Sequence, residues 1–129
     1  MGRGKNEIQL NLTKSSSTQG ALATVNLIIT AFEAITRITE TNEINQDDFN
    51  TCLDLLLSAL NASKRLKLLA DTPDQAMTVA ELDRTLQSVL YHLRLDASRS
   101  AAKLRSETAG IKEVSALARG LATLIRENR

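Results

Sequence analysis

The 129 residues contain one histidine and one cysteine, so nucleophilic and metal chemistry has few places to reside. His92 and Cys52 lie in different segments, and no third group stands at a recognisable offset to complete a catalytic set. Cys52 follows Phe49 and precedes Leu53 and Leu56, the setting of a packed thiol rather than an activated one. A single His and a single Cys leave no nitrogen–sulfur cluster for zinc. No glycine-rich phosphate loop occurs, Gly2 and Gly4 lying too near the terminus, and no EF-hand spacing is present. The carboxylates of Asp47-Asp48 and of Asp71 and Asp74 stand where helix caps need them. The expectation is a protein that is not an enzyme, carries no metal or other cofactor, and has no evident small-molecule substrate.

A different chemistry is available on residues 84–105. At about 100° per residue, Arg84, Tyr91, His92, Arg99 and Lys103 gather on one side of a helix, flanked by Arg94 and Arg105. Cations with an interleaved aromatic suit a phosphate backbone, and the single tyrosine could stack on a base. Arginine and tyrosine also anchor protein interfaces. The plainer alternative is a solvated face, its arginines paired with Asp96 and Glu107.

Charge distribution bears on this choice. The chain is nearly neutral, at net +1, but residues 15–83 are net −6 and residues 84–129 net +5. The last third therefore offers a surface to an anion or an acidic partner. Residues 1–14 are net +2, through Arg3, Lys5 and Lys14 against Glu7. Within them Ile8, Leu10 and Leu12 alternate with Glu7, Gln9, Asn11 and Thr13, a period-two pattern that predicts a short strand or an extended arm. Gln9 and Asn11 on one face of such a strand resemble the ribbon of ribbon-helix-helix DNA-binding proteins, over residues 7–13 only. That resemblance implies a paired strand entering the major groove, where Gln and Asn read adenine. The family continues with a short helix and a tight turn, whereas a longer uninterrupted helix follows here. The segment INQDDFN at 44–50 is loosely similar to a stretch of conjugative-plasmid relaxosome accessory proteins. Small helical subunits of RNA-guided effector complexes share the expected fold class and charge.

The elements that must position these residues are helical. Aromatics are 2% of the chain, so Leu, Ile, Val and Ala must build the core, which favours helices packed on helices. A first helix is expected from Ser17 or Thr18 to about Thr39, its stripe Leu22, Val25, Ile29 and Phe32 widened by Ile28, Ile35 and Ile38. Asn45 then caps a second, with Asp47 and Asp48 in its first turn and an Ile44–Phe49 staple, running to about Ala70. Its abundant leucines imply a central position or an intersubunit contact. Thr72 with Gln75, and Thr78 with Glu81, are alternative capping boxes for a third helix continuing to about Thr108 and stopped by Gly110. Its seam is Leu82, Leu86, Val89, Leu93, Ala97, Ser100 and Leu104. A last helix, Ile111 to about Glu127, buries Val114, Leu117, Leu121 and Leu124, and Gly120 marks close packing.

The expected architecture is all-α: a bundle of about four helices forming one domain over residues 15–129, with an extended basic arm or short strand over 1–14. The apolar window Ala21–Ile38 is interrupted by Thr24, Asn26, Thr30, Glu33 and Arg37, so no membrane span is expected. With no secretory leader and no disulfide, a cytoplasmic setting is the simplest. The expected function is a helical assembly or interaction subunit that self-associates or joins a protein complex. In a sharper form it binds nucleic acid through the basic face and through Arg3, Lys5, Gln9 and Asn11. The alternatives are a purely protein–protein adaptor and a relaxosome-like or RNA-guided nucleoprotein subunit.

Overall fold

In the computed structural model, residues 2–41, 43–95 and 101–127 are described, with side chains placed for 18–41, 43–94 and 103–127. All regular structure among them is helical: α1 (Gly2–Thr39), α2 (Gln46–Leu69), α3 (Pro73–Leu95), α4 (Ala101–Ser106) and α5 (Thr108–Glu127). The four long helices form a closed ring of neighbours in which α1 packs on α2, α2 on α3, α3 on α5 and α5 on α1. Short connections at 40–45 and 70–72 make successive members antiparallel. The expected all-α bundle is therefore the fold.

The core is aliphatic, with Val25, Ile28, Phe32 and Ile35 of α1 facing Phe49, Cys52, Leu56 and Leu66 of α2 and Leu82, Leu86 and Leu93 of α3. On α5 the buried set is Ile111, Val114, Ala118, Leu121, Ala122 and Ile125. This stripe is rotated from the expected one, so Leu117 and Leu124 are only half-buried.

Two boundaries differ from the sequence reading. The helix α1 begins at Gly2, so the backbone of residues 7–13 is helical rather than an extended arm or strand. A helix satisfies its own backbone hydrogen bonds, whereas a lone strand needs a partner, and the described residues contain no strand. Residues 96–100, between α3 and α4, lie outside the described residues, and α4 ends at Ser106, close to the end expected for the third helix. Of the seam, Leu82, Leu86, Val89, Leu93 and Leu104 are buried, while Ala97 and Ser100 lie outside the described residues. Finally, Gly110 is not a left-handed stop. It sits inside α5 with a helical backbone, and a Cβ added there would meet Val89 Cγ2 at 2.7 Å. Its role is close approach of α5 to α3. Gly120, by contrast, faces open space, with nothing within 4 Å of an added Cβ.

Caps fix the other ends. Asn45 Oδ1 accepts from Asp48 N at 2.8 Å, and Asp48 Oδ2 accepts from Asn45 N at 3.2 Å, a complete capping box. Thr72 Oγ1 accepts from Gln75 N at 3.1 Å, so α3 starts at Pro73. Thr78 instead donates to Asp74 O at 2.9 Å within the helix.

Within Thr18–Thr39 of α1 an 18-residue window has a mean hydropathy of 1.5, apolar enough by length and composition to cross a bilayer, a test that a buried core helix also passes. In the bundle it presents Ala21, Val25, Ile28, Ala31, Phe32 and Ile35 to the core and Asn26, Thr30, Glu33 and Arg37 outward.

Candidate interaction surface

The expected basic face divides into groups with different duties. Arg84 and Tyr91, seven residues apart on α3, are both exposed, and Arg94 is exposed in the last turn. The Arg84 guanidinium lies 3.8 Å from Glu81 Oε1, but its side chain is 78% exposed, so the pair constrains it little. Tyr91 is 62% exposed, with its ring centroid 6.0 Å from that of His92 at an interplanar angle of 57°.

His92 and Arg105 have structural partners that the sequence reading did not foresee. His92 Nδ1 is 3.2 Å from Glu107 Oε1, and the Glu107 carboxylate is largely buried, so this contact holds the end of α3 against the turn between α4 and α5. Arg105 Nη2 donates to Thr41 O at 2.9 Å, joining α4 to the end of α1. Lys103 is half-buried on α4. Arg99 lies outside the described residues. Arg3, Lys5, Gln9 and Asn11 stand on the helical backbone of α1, and their side chains lie outside those described. Arg84, Tyr91, His92 and Arg94 thus stand on the described part of α3, with Tyr91 and His92 in ring contact.

Cys52 is fully buried, and its thiol is pushed up to about 11, first by burial and then by the negative charge of Asp48. That is the reverse of an activated nucleophile, whose thiolate must be accessible and favoured. Among the described residues, no group of three His, Cys, Asp or Glu side chains could hold a metal ion.

Two polar features escaped the sequence reading. The first is a buried carboxylate, Asp83, between α2 and α3. Its Oδ2 accepts from Lys67 Nζ at 2.9 Å and from Gln87 Nε2 at 2.7 Å, and Ser63 Oγ lies 2.8 Å from its Oδ1. Ser63 Oγ is also 2.8 Å from Leu60 O, so its single proton is shared between two acceptors. Burial pushes the Asp83 carboxyl up, but the hydrogen bonds from Lys67 and Ser63, the Lys67 charge and the Gln87 bond outweigh it and hold it below its usual value. A signal existed: Val79, Asp83, Leu86 and Leu90 form a four-three stripe with a carboxylate in it, and a buried charge requires a partner. The second feature is a groove between α1 and α5 lined by Arg37, Lys112 and Arg119, with Glu33 the one acidic residue. Arg119 Nη2 lies 3.3 Å from Glu33 Oε1, closing α5 onto α1.

No family model matches the sequence, and comparison with curated proteins and with solved structures returns no match.

Proposed function

We propose that the protein is a non-catalytic helical assembly subunit that self-associates and offers the outer face of α3 to an anionic partner, foremost a nucleic acid. The observation that carries the second half is Tyr91, left 62% exposed on the same helix as the exposed cations Arg84 and Arg94. A large ring in water beside guanidinium groups is the arrangement that stacks a base while cations meet phosphates. The buried, alkaline-shifted thiol of Cys52 supports the non-catalytic half. A cytoplasmic setting accords with one unpaired cysteine.

The test is fluorescence anisotropy with labelled single-stranded and duplex oligonucleotides across a salt series. Binding should weaken steeply with salt. Each of Arg84→Glu and Arg94→Glu should reduce the logarithmic salt slope by about 0.7–0.9 for every phosphate it no longer neutralises. Tyr91→Ala should weaken single-strand binding by about 1–3 kcal/mol, the worth of one stacked base. Absence of binding at low salt would remove nucleic acid from the reading and leave a protein–protein adaptor. That second reading is favoured by Leu68, 87% exposed on α2.

A further inference from the structure

We propose that a second copy of this chain docks across the outer face of α2, with the two α2 helices antiparallel about a two-fold axis. The proposal rests on the assembly reading above and specifies its surface. The α2 positions farthest from the core follow a four-three rhythm: Asn50, Asp54, Leu57, Asn61, Lys64 and Leu68. Leu57 is half-buried and the rest are exposed. A groove beside this stripe, between α1 and α2, adds Leu27 and Leu55 to the apolar surface available there.

Charge on the stripe is polarised along the helix, with Asp54 toward the N-terminal end and Lys64, beside Arg65, toward the C-terminal end. The helix dipole explains charges only in the terminal turns, namely Asp47, Asp48 and Lys67. Asp54, Lys64 and Arg65 lie inside those turns, and none has a hydrogen bond or ion pair among the described residues. A parallel pairing would set Asp54 on Asp54 and Lys64 on Lys64. An antiparallel pairing with its axis at Ala59 sets Asp54 against Lys64 of the partner subunit, Asn50 against Leu68 of the partner subunit, and Leu57 against Asn61 of the partner subunit. One register therefore opposes unlike charges twice, covers both Leu68 side chains and aligns the two helix dipoles favourably.

Sedimentation equilibrium of the full chain at low and high salt tests this. We expect a dimer of the 14.1 kDa chain that weakens as salt rises. Leu68→Glu should raise the dimer Kd at least about tenfold, and Asp54→Lys or Lys64→Asp alone should raise it severalfold. The double variant Asp54→Lys/Lys64→Asp, in which both chains carry the exchange, should return toward the parent value. Every substituted side chain is exposed, so helicity by circular dichroism should stay unchanged and report that the fold is intact. A dimer indifferent to these substitutions overturns the α2 surface and leaves the assembly reading standing. A strict monomer at millimolar concentration in low salt overturns both the surface and self-association.

Discussion

Among the described residues, Cys52 and Asp83 are the two groups whose titration the fold clearly alters, and they act at opposite ends of the pH scale. The Cys52 thiol rises from 9.0 to about 11, so the folded state retains a proton that the unfolded chain has lost between those values. Its contribution to stability is complete below pH 9 and is lost as pH rises toward 11, on the order of 2 kcal/mol in all. Urea denaturation at pH 8 and at pH 10.5 should show this fall, and Cys52→Ala should flatten it. At pH 8 a thiol reagent should leave the native protein unmodified and label it on unfolding. Asp83 has the opposite sign: its folded pKa is depressed, so its contribution is present above the ordinary carboxylate range and lost as pH falls through the folded value. Asp83→Asn should cost about 1–3 kcal/mol, because Ser63 and Gln87 lose a charged acceptor, and should flatten the acid limb of a pH–stability profile. The packed thiol was legible from Phe49, Leu53 and Leu56 around it. The position of Asp83 in an apolar stripe was legible, but its partners Ser63 and Lys67 were not, because they come from another helix.

Local chemistry marked the ends of helices well where a side chain makes the cap, and poorly where packing decides. Asn45, Asp48 and the Ile44–Phe49 staple place the start of α2, and Thr72 places that of α3. Asn45→Ala should accordingly destabilise the protein by about 1 kcal/mol. Glycine identity alone was misleading, since Gly110 takes the close-packing role expected of Gly120, while Gly120 faces open space. Gly110→Ala gains helix propensity but drives a methyl to 2.7 Å from Val89 Cγ2, on a β-branched side chain with little rotamer freedom. Overpacking of about 1–3 kcal/mol should exceed the roughly 1 kcal/mol of propensity, so the variant should melt lower. Val89→Ala should relieve the clash, making the double variant less destabilised than the two single effects predict. Gly120→Ala, with open space around it, should raise stability by about 0.5–1 kcal/mol. The seam through Leu82, Leu86, Val89, Leu93 and Leu104 was legible from its rhythm, and residues of α3 and α4 enter the same core.

At the scale of the molecule, α1 both closes the ring and carries the chain's most apolar stretch. Four-three patterning revealed the helices and their inward faces, but it could not say whether outward leucines meet solvent, a membrane or another chain. For α1 the two faces answer differently. Phe32, Ile28 and Ile35 are fully buried against α2 and α5, so inserting this helix into lipid would require the bundle to open and expose every facing core residue. The outward face carries Asn26, Thr30, Glu33 and Arg37, and Glu33 is held by Arg119 of α5. Charged residues at bilayer depth cost about 2.5–3.5 kcal/mol each on insertion scales, against a bundle whose total stability is of the order of 5–15 kcal/mol. The folded protein should therefore stay at the bottom of a density gradient when mixed with zwitterionic vesicles. Phe32→Ala, which removes the largest buried side chain of α1 at a cost of about 3–5 kcal/mol, lowers the barrier to opening. If α1 has any affinity for lipid, this variant should float while the parent does not, and its Cys52 should become reactive in the floated fraction. Flotation of the parent with Cys52 still protected would mean that the bundle binds lipid without opening, through an outward face rather than through α1.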